Sequence, residues 1–289
     1  MLKTLNKHKW PYLFILPYIL LFLIFQLIPT IWTVAISFTQ WDGLREIKPV
    51  GLDNYALMLK DARFKDALTN TFLYWVFTAI GVLLLAMVIA LIINSKTLKG
   101  RKAFQTITFL PYVCASVAMG LIFKMLFEEN AGLINEVIVS FGGERVPWLT
   151  SSQKARIPVI ILHIWRLTPW YTMILFSGLL NISPEYYEAA TVDGANNIQQ
   201  FFKITLPMLS NILFFCFVTV TVDSWKIFNE PYVLAGPGSS NTSLFQLLYE
   251  QAFTTFKLGY ASALGVVLIV ILLFISVTQF MVRRKQGEL

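Results

Sequence analysis

Six apolar runs, each about as long as a bilayer is thick, leave this chain few folds to choose from. They lie at about Tyr12–Phe38, Thr71–Asn94, Phe104–Phe127, Ile157–Leu180, Met208–Phe228 and Ala261–Val282. A helix needs about 20 apolar residues to cross the hydrocarbon core. Inside that core every backbone N–H and C=O must find a partner, which a helix supplies from its own turns. The expectation is an all-α integral membrane protein with six transmembrane helices. Composition agrees, since 56% of the residues are hydrophobic and only 13% charged, an excess that no soluble core of this size requires. The first run is too long for the apolar part of a signal peptide and is followed by no small-x-small cleavage site. It is read as a retained span, with Pro17 and Pro29 as bends.

Basic residues orient the spans. Lys3, Lys7 and Lys9 precede the first run, and Arg283, Arg284 and Lys285 follow the last. Lys96, Lys99, Arg101 and Lys102 fill the loop between the second and third runs without an acid among them. Six crossings put all three clusters on one side, and an excess of Lys and Arg marks that side as cytoplasmic. The expected plan is a cytoplasmic segment over 1–11, a transmembrane domain over 12–282 and a cytoplasmic tail over 283–289. The first outer loop goes against the trend with five basic residues, but five acids share it. That loop holds GLDNY at Gly51–Tyr55 and a helical-looking run, Ala56–Leu68, ending in Asn70-Thr71. Residues Glu128–Arg156 carry NAGLIN and VPWL and are expected to form a small outer cap. The net charge of +7 is thus spread over short polar ends, which reads as membrane orientation and not as a nucleic-acid surface.

Signals for chemistry are sparse. Cys114 and Cys216 both sit inside apolar runs, without metal-ligand spacing, and read as small core residues. His8 and His163 form no ligand cluster, no G-x-x-x-x-G-K phosphate loop is present, and no Ser–His–Asp set can be argued. The chain is expected to be non-catalytic, with no metal and no cofactor of its own. Arg166 stands roughly nine residues into the fourth span, near mid-membrane. An isolated charge there costs at least ~2.5–3.5 kcal/mol, so it should face the bundle or a wet cavity. It is either a lining group of a transport path or half of an internal ion pair.

Between the fourth and fifth runs lies Ser183–Pro207, SPEYYEAATVDGANNIQQFFKITLP. Ser183-Pro184 reads as an N-cap followed by Pro at the first helical position. Glu185 in the first turn complements the helix dipole, and Gly194 is placed to end the helix with a positive φ. The alternative is an ordinary connector between two spans. Glu188-Ala189-Ala190, Asp193-Gly194 and the Ile204-x-Leu206-Pro207 ending resemble the EAA loop of permease subunits in bacterial ATP-binding-cassette importers. That resemblance implies a short cytoplasmic coupling helix between the fourth and fifth spans, docked on a separate ATPase, with Glu188, Ala189, Ala190, Asp193, Gly194, Ile204, Leu206 and Pro207 at the contact.

Further matches extend the resemblance over about residues 12–285: GLDNY, the run Val222–Ser243, and Tyr249–Gly265 with its Gly259-Tyr260-Ala261-Ser262-Ala263. These point to the carbohydrate branch, where AGPG after Leu234 replaces a denser glycine run. The family implies a second homologous permease, two ATPase subunits that bind ATP and Mg, an extracytoplasmic solute-binding protein, and location in the bacterial inner membrane. The solute is expected to be a sugar, an oligosaccharide foremost, with a glycerol phosphodiester as the alternative. Arg166, Asp223, Trp225 and Asn229 are the expected border of the solute path, with Arg166 as counter-charge. A secondary transporter or channel using Arg166 and Asp223 is the reading from a different class.

Overall fold

In the computed structural model, residues 9–95 and 97–285 are described. Lys3, Lys7 and Lys96, most of the expected 1–11 segment and the tail beyond Lys285 lie outside the described residues. The chain divides into two compact units, Met1–Asp61 with Leu248–Val270, and Ala62–Leu247 with Ile271–Leu289.

The first unit opens with helix α1 (Lys9–Phe22), a π turn (Leu23–Leu27) and helix α2 (Ile28–Ile36). Pro17 sits within α1, and Pro29 enters α2 at its first turn, straight after the π turn. The wider turn moves the Ile28 N–H onto the Leu23 carbonyl, so the missing Pro29 donor falls where the hydrogen-bond register has already shifted. From Leu13 to Ile36 the surface is almost wholly apolar and exposed, as a lipid-facing or partner-facing helix requires.

A two-stranded hairpin follows, β1 (Thr39–Gln40) antiparallel to β2 (Lys48–Pro49), and then helix α3 (Asp53–Lys60). The GLDNY residues explain this corner. Asn54 Nδ2 donates to the Ser37 and Thr39 carbonyls at 2.9 and 2.8 Å, and Tyr55 Oη lies 2.7 Å from Ser37 Oγ. They fasten α3 to the end of the first span.

In the second unit, α4 (Ala62–Asn94) is one unbroken helix of 33 residues. The expected stop at Asn70-Thr71 is therefore corrected: both residues are fully buried inside the helix. Their polar side chains answer partners on other elements and not the end of their own helix. The third run also differs from expectation. It forms α5 (Arg101–Val113) and α6 (Ser116–Leu126), which meet at 93°. Pro111 leaves the last turn of α5 one donor short, and Cys114 and Ala115 then take extended backbone. Among the described residues, five helices are long and apolar enough to cross a membrane, and the bent pair makes a sixth if it is one broken span.

Helix α7 (Leu133–Ser140) sits in the Glu128–Arg156 segment, where buried Asn135 draws the two sequence motifs together. Its Nδ2 donates to the Glu129 and Val146 carbonyls, and its Oδ1 accepts from Val146 N and Trp148 Nε1. Helix α8 (Arg156–Leu180) then runs through Pro169 without a break. It packs on α4 and on α12 (Ser210–Trp225) around Val82, Ala86, Ala90, Tyr171, Leu175 and Val220. The fifth run breaks at Lys226 and resumes as the short α13 (Asn229–Val233). Helix α14 (Leu244–Tyr249) and a π turn (Glu250–Thr254) lead into α15 (Leu258–Lys285), which starts before and ends after the apolar run that predicts it.

Candidate functional site

The loop between α8 and α12 is built almost entirely by its own residues. Ser183 is the N-cap of α9 (Pro184–Val192): its side chain accepts from Glu185 N, and Pro184 holds the first helical position. At the other end Gly194 has φ +80°. The Ala195 N–H reaches back to the Ala190 carbonyl at 2.9 Å, and the Gly194 N–H to the Thr191 carbonyl at 3.1 Å. This paired closure is a Schellman motif, which needs a left-handed residue at the position Gly194 occupies.

A second short helix, α10 (Asn197–Gln200), begins at once with a reciprocal capping box between Asn196 and Gln199. A π turn (Phe201–Thr205) and α11 (Leu206–Met208), with Pro207 in its first turn, complete the loop. The capping box is legible as Asn-x-x-Gln in the sequence, although Ser183–Pro184 and Gly194 are the stronger signals.

Two side-chain ties connect the two halves, and in one of them Gln200 Nε2 donates to Thr191 Oγ1 at 3.0 Å. Tyr187 Oη lies 2.9 Å from the buried Thr205 Oγ1, and Tyr187 also packs on the main apolar core. With Tyr187 facing inward, the next two residues, Glu188 and Ala189, are exposed, as are Asp193 and Gly194, while Ala190 is half-buried. Ile204 and Leu206 are half-buried, and Pro207 is exposed. The outer surface also presents Val192 at 88%, Ile198 at 69% and Phe202 at 59% exposure. A rigid, capped helix that offers carboxylates beside bare apolar side chains is suited to a protein partner with a basic, partly apolar cleft.

The four residues expected along the path do not form one cluster. Arg166 is an ion-pair partner, as one of its two readings had it, but its counter-charge is Glu230 and not Asp223. Arg166 Nε donates to Glu230 Oε1 at 2.6 Å, and His163 Nδ1 lies 3.0 Å from the same oxygen. The Glu230 and His163 side chains are almost completely buried, whereas Arg166 keeps about 20% of its side chain exposed. Asp223 instead accepts from Tyr171 Oη at 2.7 Å. Trp225 is buried against Trp75 at the end of α12, and Asn229 opens α13. An apolar groove of about 580 Å³ runs beside Trp170, Met173, Gly178 and Phe215, and none of the four residues lines it.

Sequence reasoning missed Glu230, and it missed the buried seams around it. Asn70 Nδ2 donates to the Ser239 and Thr242 carbonyls at 3.0 and 2.9 Å, and Asn70 Oδ1 accepts from Arg156 Nε at 2.5 Å. Tyr74 Oη donates to the Asn241 carbonyl, and Leu244 N to Thr71 Oγ1. At the opposite end of the spans, Arg283 donates to the Ser210 carbonyl and to Asn211 Oδ1. Among the described residues no group of three His, Cys, Asp or Glu is placed to hold a metal ion.

A bundle of long apolar helices, with one self-capped, exposed loop between α8 and α12, defines a membrane-embedded protein. Residues 83–287 match the family described as "Binding-protein-dependent transport system inner membrane component", and the chain belongs to that family. It is 32% identical to the arabinooligosaccharides transport system permease protein AraP of Bacillus subtilis (strain 168), over 94% of this chain and 87% of that protein. It is also 32% identical to the trehalose/maltose transport system permease protein MalF of Thermococcus litoralis, over 98% of this chain and 96% of that one. Among solved structures, a chain of a bacterial ABC transporter involved in the import of the acidic polysaccharide alginate superposes with a TM-score of 0.83. The match has 25% identity and covers 98% of both chains.

Proposed function

We propose that this chain is one permease subunit of an ATP-driven, binding-protein-dependent sugar importer. In this reading it forms half of the membrane path and couples it to a separate ATPase. The observation that carries the coupling role is the loop 183–207, where Glu188 stands exposed on a helix fixed by its own caps at both ends. A helix held in this way moves as a rigid body, so a push from a closing ATPase would pass through Tyr187 and Thr205 into α12. ATP and Mg would be bound by two ATPase subunits. A second homologous permease and an extracytoplasmic solute-binding protein would complete the assembly.

Hydrogen bonds across the bundle support six crossings. Asn70, near the start of α4, bonds Arg156 at the start of α8. Two chain ends that touch lie on one face of the membrane, so an even number of crossings separates them. α4 supplies one, and the bent pair α5–α6 must supply the other. The same parity follows in the first unit, where Gly259 N donates to the Trp41 carbonyl at 3.3 Å. On the opposite face, the Arg283 bond to Ser210 joins the basic end of α15 to the root of the loop 183–207. Lys99, Arg101 and Lys102 follow α4 on that face too, which favours the cytoplasmic side for the loop and for both termini.

The relatives named for arabinooligosaccharides and for trehalose and maltose support a sugar, an oligosaccharide foremost, as the solute. The test is uptake by proteoliposomes that hold the complete complex, with the solute-binding protein outside and ATP enclosed on the ATPase side. Uptake of a sugar that requires both ATP and the binding protein is the expected result. Uptake that ignores ATP and follows an ion gradient would make the chain a secondary transporter.

A further inference from the structure

The first unit contains a groove that the coupling loop and the membrane path do not use. It is about 670 Å³ in volume and is walled by the hairpin Thr39–Pro49, by α3 and by the segment leading into α15. That volume lies in the range of small-molecule sites. Its walls are joined by backbone. Gly259 N donates to the Trp41 carbonyl, and a Cβ at Gly259 would stand 1.9 Å from the Thr39 carbonyl oxygen, so only glycine lets the two strands of chain meet there.

Phe256 sets this groove apart. It has φ +55°, in the left-handed region, and among the described residues it is the only non-glycine residue with positive φ. It closes the π turn Glu250–Thr254 in the way a C-terminal glycine closes a helix, with Thr255 N and Lys257 N turned back onto the Glu250 and Gln251 carbonyls. Glycine would hold this turn without strain. Phenylalanine holds it with strain and leaves its ring 60% exposed on the groove. A strained backbone that presents a bare aromatic ring points to use of that ring.

The remaining lining fits one ligand chemistry. Half-buried Trp41 adds aromatic surface, Tyr260 lies buried beneath the groove with its hydroxyl donated to Asp61, and Gln40 adds a planar side chain with both a donor and an acceptor. Three carboxylates and four cations also line the groove, so neither sign of charge dominates and no strongly charged ligand is selected. Flat apolar rings beside alternating donors and acceptors suit a molecule with an apolar C–H face and an edge of vicinal hydroxyls.

We propose that this groove is an oligosaccharide-binding subsite outside the membrane spans, with Phe256 as its stacking platform. It takes a short neutral segment of a sugar chain by stacking on Phe256 and by hydrogen bonds along the hairpin wall. Its ligand class agrees with the import reading but rests on the groove's own residues. On the sidedness proposed above, the groove opens to the face from which solute arrives.

The experiment uses the complete complex in nanodiscs without the solute-binding protein. Arabinotriose, maltose, diacetylchitobiose and lactose serve as probes in saturation-transfer NMR titrations. Phe256→Gly and Phe256→Asn are the variants, because both residues accept a left-handed backbone and leave the turn intact. The expected result is that at least one sugar binds and that both variants weaken its Kd about tenfold. No binding by any of the four, or binding that both variants leave unchanged, overturns the proposal. In a parallel titration of the solute-binding protein onto the same nanodiscs, a loss of its affinity in both variants with sugar binding unchanged also overturns the proposal, and makes the groove a protein seat. ATP-driven uptake by proteoliposomes of the same protein preparations, with the solute-binding protein added, separates the two readings. Uptake without Phe256-dependent binding rejects the groove and keeps the importer, while Phe256-dependent binding without uptake does the reverse.

Discussion

The loop 183–207 and the segment 226–244 are both polar interruptions between apolar helices, yet one is held almost wholly from within and the other also by residues far away in the sequence. In the loop, the side-chain caps of Ser183 and Asn196 and the glycine closure at Gly194 all lie within a few residues of the groups they serve. In the segment, Glu230 answers Arg166 from 64 residues away, and the Ser239 and Thr242 carbonyls are met by Asn70 from 169 and 172 residues away. The loop can keep its shape while its outer surface meets a partner. The segment has local bonds too, with Asn241 tied to Gly236 and Leu234 and Ser243 to Ile227, but its buried polar groups are also locked into the bundle. The lesson is a division of labour. Changes in the segment should cost stability, and changes in the loop should cost coupling.

The largest expected effect tests the locked side. Glu230→Ala leaves the Arg166 guanidinium and His163 without their shared acceptor, and breaking a buried ion pair from one side costs about 3–5 kcal/mol. Thermal unfolding of the purified complex should show a clear loss, and unchanged unfolding would mean that the cluster is not structural. Asn70→Ala comes next, since it removes three hydrogen bonds and strands the Ser239 and Thr242 carbonyls. About 1–3 kcal/mol is expected, with faster hydrogen exchange confined to residues 236–244. Uniform loosening of the whole bundle would break the comparison.

Gly194→Val tests the other side. A Cβ at Gly194 meets nothing within 4 Å, so the cost is only the backbone strain of φ +80°, about 1–3 kcal/mol. It should appear as poor ATPase co-purification at near-normal unfolding temperature; a fall in unfolding temperature with the ATPase still bound would reverse the assignment. The smallest effect concerns Glu128. Backbone N–H groups of Ala131 and then Asn130 hold its carboxyl below the ordinary carboxylate range. A depressed folded pKa contributes stability above the unfolded value and loses it as pH falls through the folded one. Protection of the Asn130 and Ala131 amides should therefore stay flat from neutral pH to about pH 5 and fall only in stronger acid. Glu128→Gln should abolish that pH dependence, and an unchanged profile would assign it elsewhere.

The same contrast explains what could be read from the sequence. The apolar runs announce five of the spans because length and hydropathy are local properties, and Ser183-Pro184 and Gly194 announce α9 for the same reason. Arg166 was legible as a charge in need of an answer. The sequence offers no sign that Glu230 answers it, since Asp223 lies nearer the end of a helix and looks equally suited. Asn70-Thr71 reads as a helix stop because such residues usually cap locally, and only its distant carbonyl partners make it an interior pair. The 93° turn at Cys114-Ala115 is hidden for a related reason. Pro111 weakens the helix nearby, but the two halves separate where packing against other helices takes over.

In the proposed function, Glu188 sits at a contact through which ATP hydrolysis and solute passage are linked. Its most direct measurement is ATP hydrolysis stimulated by loaded binding protein in the reconstituted complex carrying Glu188→Lys. The substitution lies on an exposed face outside the apolar spans, so insertion and unfolding temperature should match the wild type. Reversing a charge in a partly desolvated contact costs about 2–5 kcal/mol, so stimulated hydrolysis should fall by tenfold or more. Hydrolysis stimulated to the wild-type level by Glu188→Lys would contradict the account and leave the loop 183–207 a plain connector.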